Sequence, residues 1–171
     1  MDVPTRRRAI RILQDGRSEV LELIERLPSR ALTRQGIGRG TWAPKDLIGH
    51  LATWEGFALE ALDAWDVGKG WHRESELWTR GVNPTNRAEL ERKRKLSAPE
   101  IRRRADATHL ALIERLEAMS DSRWRGPPTP RGKKTLGERL GGILGGPAGP
   151  FRHDEAHLRD LRRFVSAQTE N

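Results

Sequence analysis

Residues 44–66, PKDLIGHLATWEGFALEALDAWD, read as one long helix. Pro44 has the fixed φ that suits a first helical position, and Asp46 in the first turn complements the helix dipole. Leu47, His50, Leu51, Trp54, Ala58, Ala61, Leu62 and Trp65 recur at helical spacing on one face, so that face packs on neighbours along most of its length. A single helix with so continuous an apolar face needs partners, and the rest of the chain is read for them.

Upstream, a helix is predicted from about Thr5 to Leu27, with Thr5 as N-cap, Pro28 as stop and Gly16 as an interruption. Its stripe is Ile10, Leu13, Val20, Ile24 and Leu27. Residues 29–42, rich in Gly and Arg, read as a loop. Downstream, residues 67–96 are irregular, and a connection of about 30 residues is too long for an ordinary loop. A short helix is expected there from Pro84 to Lys95, with Asn83-Pro84 as its start. Ser97 followed by Glu100 matches a capping box, opening a third long helix with Ile101, Ala105, Leu112, Leu116 and Met119 as its stripe. Residues 121–134 carry three prolines and two glycines and read as loop. The last segment is helical but broken at Gly145-Gly146-Pro147 and Gly149-Pro150, with a restart at Pro150 running to about Ala167. No stretch reads as a strand. The expected fold is all-α: a four-helix bundle with a long crossover between helices 2 and 3, one domain over residues 1–171.

Composition narrows the function. The chain has 171 residues, no Cys, no Tyr and six Trp. A domain of this size buries about 70% of its unfolded surface, enough for a core without staples. Without Cys, disulfides, thiolate metal sites and cysteine nucleophiles are excluded, a pattern that fits a cytoplasmic protein. No apolar run approaches the ~18 residues of a membrane span, and the N-terminal region predicts no secretory signal. Lys plus Arg number 32 against 24 Asp plus Glu, a net charge of +8. Basic patches can neutralise phosphates, but the runs Arg6-Arg7-Arg8, Arg92-Lys93-Arg94-Lys95 and Arg102-Arg103-Arg104 lie on separate segments. They are interleaved with Glu89, Glu91, Glu100 and Asp106, and no nucleic-acid-binding motif accompanies them. A solvated basic surface is the favoured reading, with nucleic acid as the other.

With cysteine absent, histidine is left as the main candidate for metal chemistry. His153 and His157 stand at i and i+4, on one helix face and in line with Leu161 and Phe164. His50 lies within the apolar stripe of the second long helix. Three inward imidazoles from two helices suit Zn, Ni, Fe or Cu and leave coordination positions open. The alternative is structural, each histidine bonded to a carboxylate such as Asp154, Glu155 or Asp160. His109 sits slightly off its stripe and reads as a surface residue, and His72 has no identifiable partner.

The run Thr41-Trp42-Ala43-Pro44-Lys45-Asp46, continuing through His50-Leu51, Trp54 and Glu55, resembles the W-x-x-K-D-x-x-x-H-L-x-x-W-E signature of the DinB-like superfamily. It is most similar to the DfsB-like subset, which includes genotoxin self-resistance proteins. The Leu136-Gly137 and Leu140-Gly141-Gly142 segment, followed by His153 and His157, stands where that superfamily carries its second histidine cluster. Two positions depart from the pattern. Ala43 stands where Ser or Thr is often found and removes a side-chain cap, and Asp154 and Glu155 stand where the subset often has aromatic residues. The resemblance implies a four-helix bundle, frequently dimeric, holding a divalent metal on His50, His153 and His157. Asp46 or Glu55 would then orient His50, and Glu155 is the candidate general base. Trp54 would line the floor of a substrate pocket, Trp71 and Trp78 its lid, and Asn86 would bond the substrate. The expected activity is a metal-dependent hydrolase or thiol-transferase acting on a small electrophile, in detoxification or self-resistance. Thiol chemistry would need an external low-molecular-weight thiol. The alternative is a binding protein that sequesters a small molecule or holds nucleic acid on its basic surface.

Overall fold

A computed structural model describes residues 3–169. The stretch 44–66 is one uninterrupted helix, α2 (Pro44–Asp66), starting where Pro44 predicts. Ala43 offers no capping oxygen, and Asp46 compensates from within the helix: its Oδ2 accepts from the Ala43 backbone N–H at 2.9 Å. Ahead of it α1 (Arg6–Glu25) starts at Thr5, whose Oγ1 accepts from Arg8 N at 3.4 Å, and runs straight through Gly16. A short 3₁₀ turn (Ser29–Thr33) follows.

The crossover holds two helices, α3 (Arg73–Arg80) and α4 (Val82–Lys93). Only α4 is anticipated from sequence. No residue of α3 is buried, so it has no apolar stripe to betray it. In α5 (Ala98–Glu117) Ser97 Oγ accepts from Glu100 N at 3.3 Å. The box is half-formed, because the Glu100 carboxylate turns to Arg104 at 2.6 Å. Residues 121–134 are not all loop: α6 (Asp121–Arg125) is capped by Ser120 and ends before the prolines. Next come α7 (Leu136–Ile143) and α8 (His153–Thr169). The last helix begins at His153 and not at Pro150, because Phe151 adopts φ 63° and cannot lie in a right-handed helix.

The four long helices α1, α2, α5 and α8 form the bundle. α2 lies along α5 and α1 along α8, with α1–α5 and α2–α8 contacts closing the ring. All five stripe residues named for α1 are buried, as amphipathic packing requires. The apolar core comes in two parts. One gathers Ala9, Ile10 and Leu13 with Trp54, Phe57, Ala58, Leu62, Trp65, Leu112 and Leu116. The other gathers Val20 and Ile24 with Leu47, Leu51, Ile101, Ala105, Leu158 and Leu161. Between them, every bundle helix contributes a polar residue at the same level: Arg17, Glu55, His109 and Asp154. No described helix is long and apolar enough to cross a membrane.

Candidate metal centre

The histidines of α2 and α8 meet. His50 Nε2 lies 2.9 Å from His153 Nε2, and His157 Nε2 lies 3.4 Å from the same atom. All three ligand atoms fall within 4.8 Å of one another. Nitrogens bound to one ion at ~2.0–2.1 Å stand about 2.9 Å apart at right angles and about 3.4 Å apart at the tetrahedral angle. Both spacings about His153 therefore fit ligands of one cation. The donor chemistry agrees. A ring nitrogen either donates one proton or accepts along one lone pair, so His153 Nε2 cannot satisfy both neighbours by hydrogen bonding. A cation takes all three lone pairs.

Electrostatics keeps the ligands in the form a metal needs. Burial, with the neighbouring imidazoles, pushes His50 down to about 2 and His153 to about 3. Burial lowers His157 as well. All three are therefore neutral at pH 7, as metal-binding imidazole must be. Trp42 leans on the His50 ring at 4.7 Å and approaches the His157 ring at 6.0 Å. Trp54 stands edge-on to His153 at 6.0 Å.

The triad opens into a cleft of about 860 Å³, walled by Trp42, Trp54, Asn86, Arg87, Ile143 and Asp160 among others. Of the residues named from sequence, His50, His153, His157, Trp54 and Asn86 come together here. Trp54 Nε1 donates to Asn86 Oδ1 at 3.0 Å, tying α2 to α4. The other named residues lie elsewhere. Trp71 is core, not lid: it is 5% exposed and packs near Phe57. Trp78 projects from α3 into solvent, 91% exposed. The Glu155 carboxylate pairs with Arg152 at 2.5 and 2.6 Å and is absent from the cleft wall. Neither Asp46 nor Glu55 bonds His50, since Asp46 caps Ala43 and Glu55 faces Arg17 and His109.

The cleft wall also holds residues outside the predicted site set, Trp42 and Asp160 among them. Trp42 precedes the helix, so helical periodicity says nothing of its direction. It is turned inward by the Ile37–Trp42 bridge. Asp160, three residues after His157, is the carboxylate on the cleft wall. Its i, i+3 spacing was the available signal.

Beside the triad lies a buried ionic group. Arg17 Nε donates to Asp154 Oδ2 at 2.8 Å. Its Nη2 lies 3.1 Å from Glu55 Oε1, within ion-pair distance but outside hydrogen-bond alignment. The same Glu55 oxygen meets His109 Nδ1 at 2.6 Å, so His109 is engaged in the bundle and is not a surface residue. Arg17 is 4%, Glu55 2% and Asp154 7% exposed. Burial pushes the Asp154 carboxyl up, against the pull of Arg17. The arginine is raised despite burial, by Asp154 and Glu55.

No curated protein matches the chain. Two solved structures share the fold over nearly all of both chains. One is the colibactin self-resistance protein ClbS in complex with dsDNA, at 14% identity and TM-score 0.72, covering 99% of this chain and 98% of that one. The other is an uncharacterised protein from Escherichia coli UTI89, at 13% identity and TM-score 0.73, covering 98% and 96%. A family model described as the DinB superfamily matches residues 12–145, which takes in α2 and His50 with most of the bundle. The chain belongs to the DinB superfamily.

Proposed function

We propose that this chain is a divalent-metal-dependent enzyme that acts on a small electrophilic compound, by hydrolysis or by transfer of an external low-molecular-weight thiol. The observation that carries the reading is the convergence of three neutral imidazole nitrogens within 4.8 Å of one another, facing a cleft that could admit a small molecule. His50, His153 and His157 would hold Zn, Ni or Fe. Bound there, such a cation supplies Lewis acidity, with positions left open for a reactant. The protein's own part is to seat the compound. Trp42 and Trp54 offer aromatic walls on either side of the triad, and Asn86 is held in place by Trp54. Asp160 supplies a carboxylate for moving a proton in the cleft, the role that Glu155, held by Arg152, is poorly placed to fill.

The test is metal content. Purified wild type should carry, or take up, one equivalent of Zn or Ni and gain thermal stability, while His50→Ala and His157→Ala keep the helical signal and lose the metal. Wild type that takes up no metal and shows no thermal shift would end this reading. A second reading has one observation behind it: a protein of the same fold is found with dsDNA, and this chain carries a charge of +8. Phosphate contacts would then give sequence-independent affinity.

A further inference from the structure

We infer that Arg17 is a positioning residue of the histidine centre, setting α8 against α2 so that His153 and His157 meet His50. This rests on the metal reading for its use but on the apo geometry for its evidence. The two groups adjoin along the bundle: His50 stands among Leu47, Ile48 and Leu51 of one apolar cluster, and the Arg17 group lies where that cluster meets the other. Asp154, which Arg17 holds at 2.8 Å, follows His153 directly. Glu55, its other partner, lies about a turn and a half beyond His50 on α2. One guanidinium on α1 thus grips the two helices that carry the ligands, and His109 holds Glu55 from α5 at 2.6 Å.

The neighbouring glycine has the same purpose. A methyl group at Gly16 would stand 3.1 Å from Asp154 Cβ, a tight contact that would press α8 away. Gly16 admits α8 closely, and Arg17 then fixes its rotation. An isolated helix gains nothing from glycine in its middle, so the requirement is tertiary. The ionic group is also poorly accounted for by stability. Arg17 Nη1 and Glu55 Oε2 have no hydrogen-bond partner, and apolar side chains of the same size often serve a bundle core as well or better. What charges between helices supply is register.

The test separates register from folding. Arg17→Met/Glu55→Gln/Asp154→Asn removes the charges together while keeping side-chain volume, so no lone buried ion remains. Gly16→Ala adds one methyl and raises helix propensity, and it carries the test if the triple variant does not fold. Both should keep the circular dichroism of the bundle. Both should bind Zn about 10–100-fold more weakly than wild type, the loss typical when ligand orientation is disturbed. A second readout needs no metal: in metal-free protein, nitrogen NMR of the imidazoles should report the His50–His153 contact in wild type and its loss in the variants. Folded variants with wild-type Zn affinity and an intact His50–His153 contact would overturn the inference. Wild type that binds no Zn defeats the metal reading instead, and the NMR comparison still decides the role of Arg17.

Discussion

At the scale of residues, the centre is defined by three imidazoles that burial keeps neutral. Their folded values lie below the ordinary 6.5, with His50 near 2 and His153 near 3. Between the folded and unfolded values the unfolded chain binds more protons, so stability is full above about pH 6.5 and falls as pH drops below it. Each group contributes at most about 1.4 kcal/mol per pH unit, less where the open cleft wets the ring. Urea unfolding of metal-free protein should therefore show a falling stability between pH 6.5 and 4.5, and His50→Gln should flatten that slope. Equal slopes in wild type and variant would show that His50 is not the buried, neutral imidazole described. The triad was readable because periodicity assigns directions within a helix: i, i+4 spacing put His153 and His157 on one face, and the α2 stripe placed His50. Arg17 was not readable. It follows a glycine among polar residues, and its partner Asp154 is 137 positions away. Nothing local marks such a pair.

At the scale of elements, α8 depends on how it is launched. Between α7 and α8 the chain reverses over residues 144–152, with a Gly146–Gly149 bridge at its centre. Phe151 holds φ 63°, a strained position for an aromatic residue, yet it is 1% exposed and stacks on Trp124 at 5.5 Å. Burial of that ring repays the strain. Gly145 is needed for a different reason: a methyl there would lie 2.4 Å from the Gly141 carbonyl oxygen, a backbone atom that cannot swing aside. Gly145→Ala should cost about 2 kcal/mol, seen as a fall of about 4–8 °C in Tm. It should also weaken Zn binding, because it moves the first turn that carries His153. An unchanged Tm would mean that the reversal adapts freely. In sequence this segment reads only as a helix breaker. Glycine and proline mark where a helix stops, whereas the direction of the next one is set by the seat of Phe151 in the core. The missed α3 has the converse cause: helices announce themselves by an apolar stripe, and one without buried residues has none.

At the scale of the whole molecule, the question is whether the +8 charge forms an interface. Most members of the three basic runs are already engaged. Arg6 bonds Asp121 and the carbonyls of Leu116 and Glu117. Arg92 and Arg94 pair with Glu89 and Glu91. Lys93 is drawn inward to the Gly49 carbonyl and the Thr53 hydroxyl, where burial lowers its pKa. Arg102 and Arg104 pair with Asp106 and Glu100. Local pairing leaves a net field but few free cations gathered in any one run. Such a surface attracts a polyanion through its overall charge, and each phosphate contact adds about −0.9 to the slope of log affinity against log salt. A duplex of any sequence should accordingly bind at low salt, with a shallow slope, and be released at moderate salt, as read by fluorescence anisotropy. His50→Ala and His157→Ala should bind it as wild type does, because the triad lies at the floor of its own cleft. No binding at low salt would remove the nucleic-acid reading and leave the cleft as the functional surface. Loss of binding in the histidine variants would instead place the polyanion in the cleft and make one site of the two.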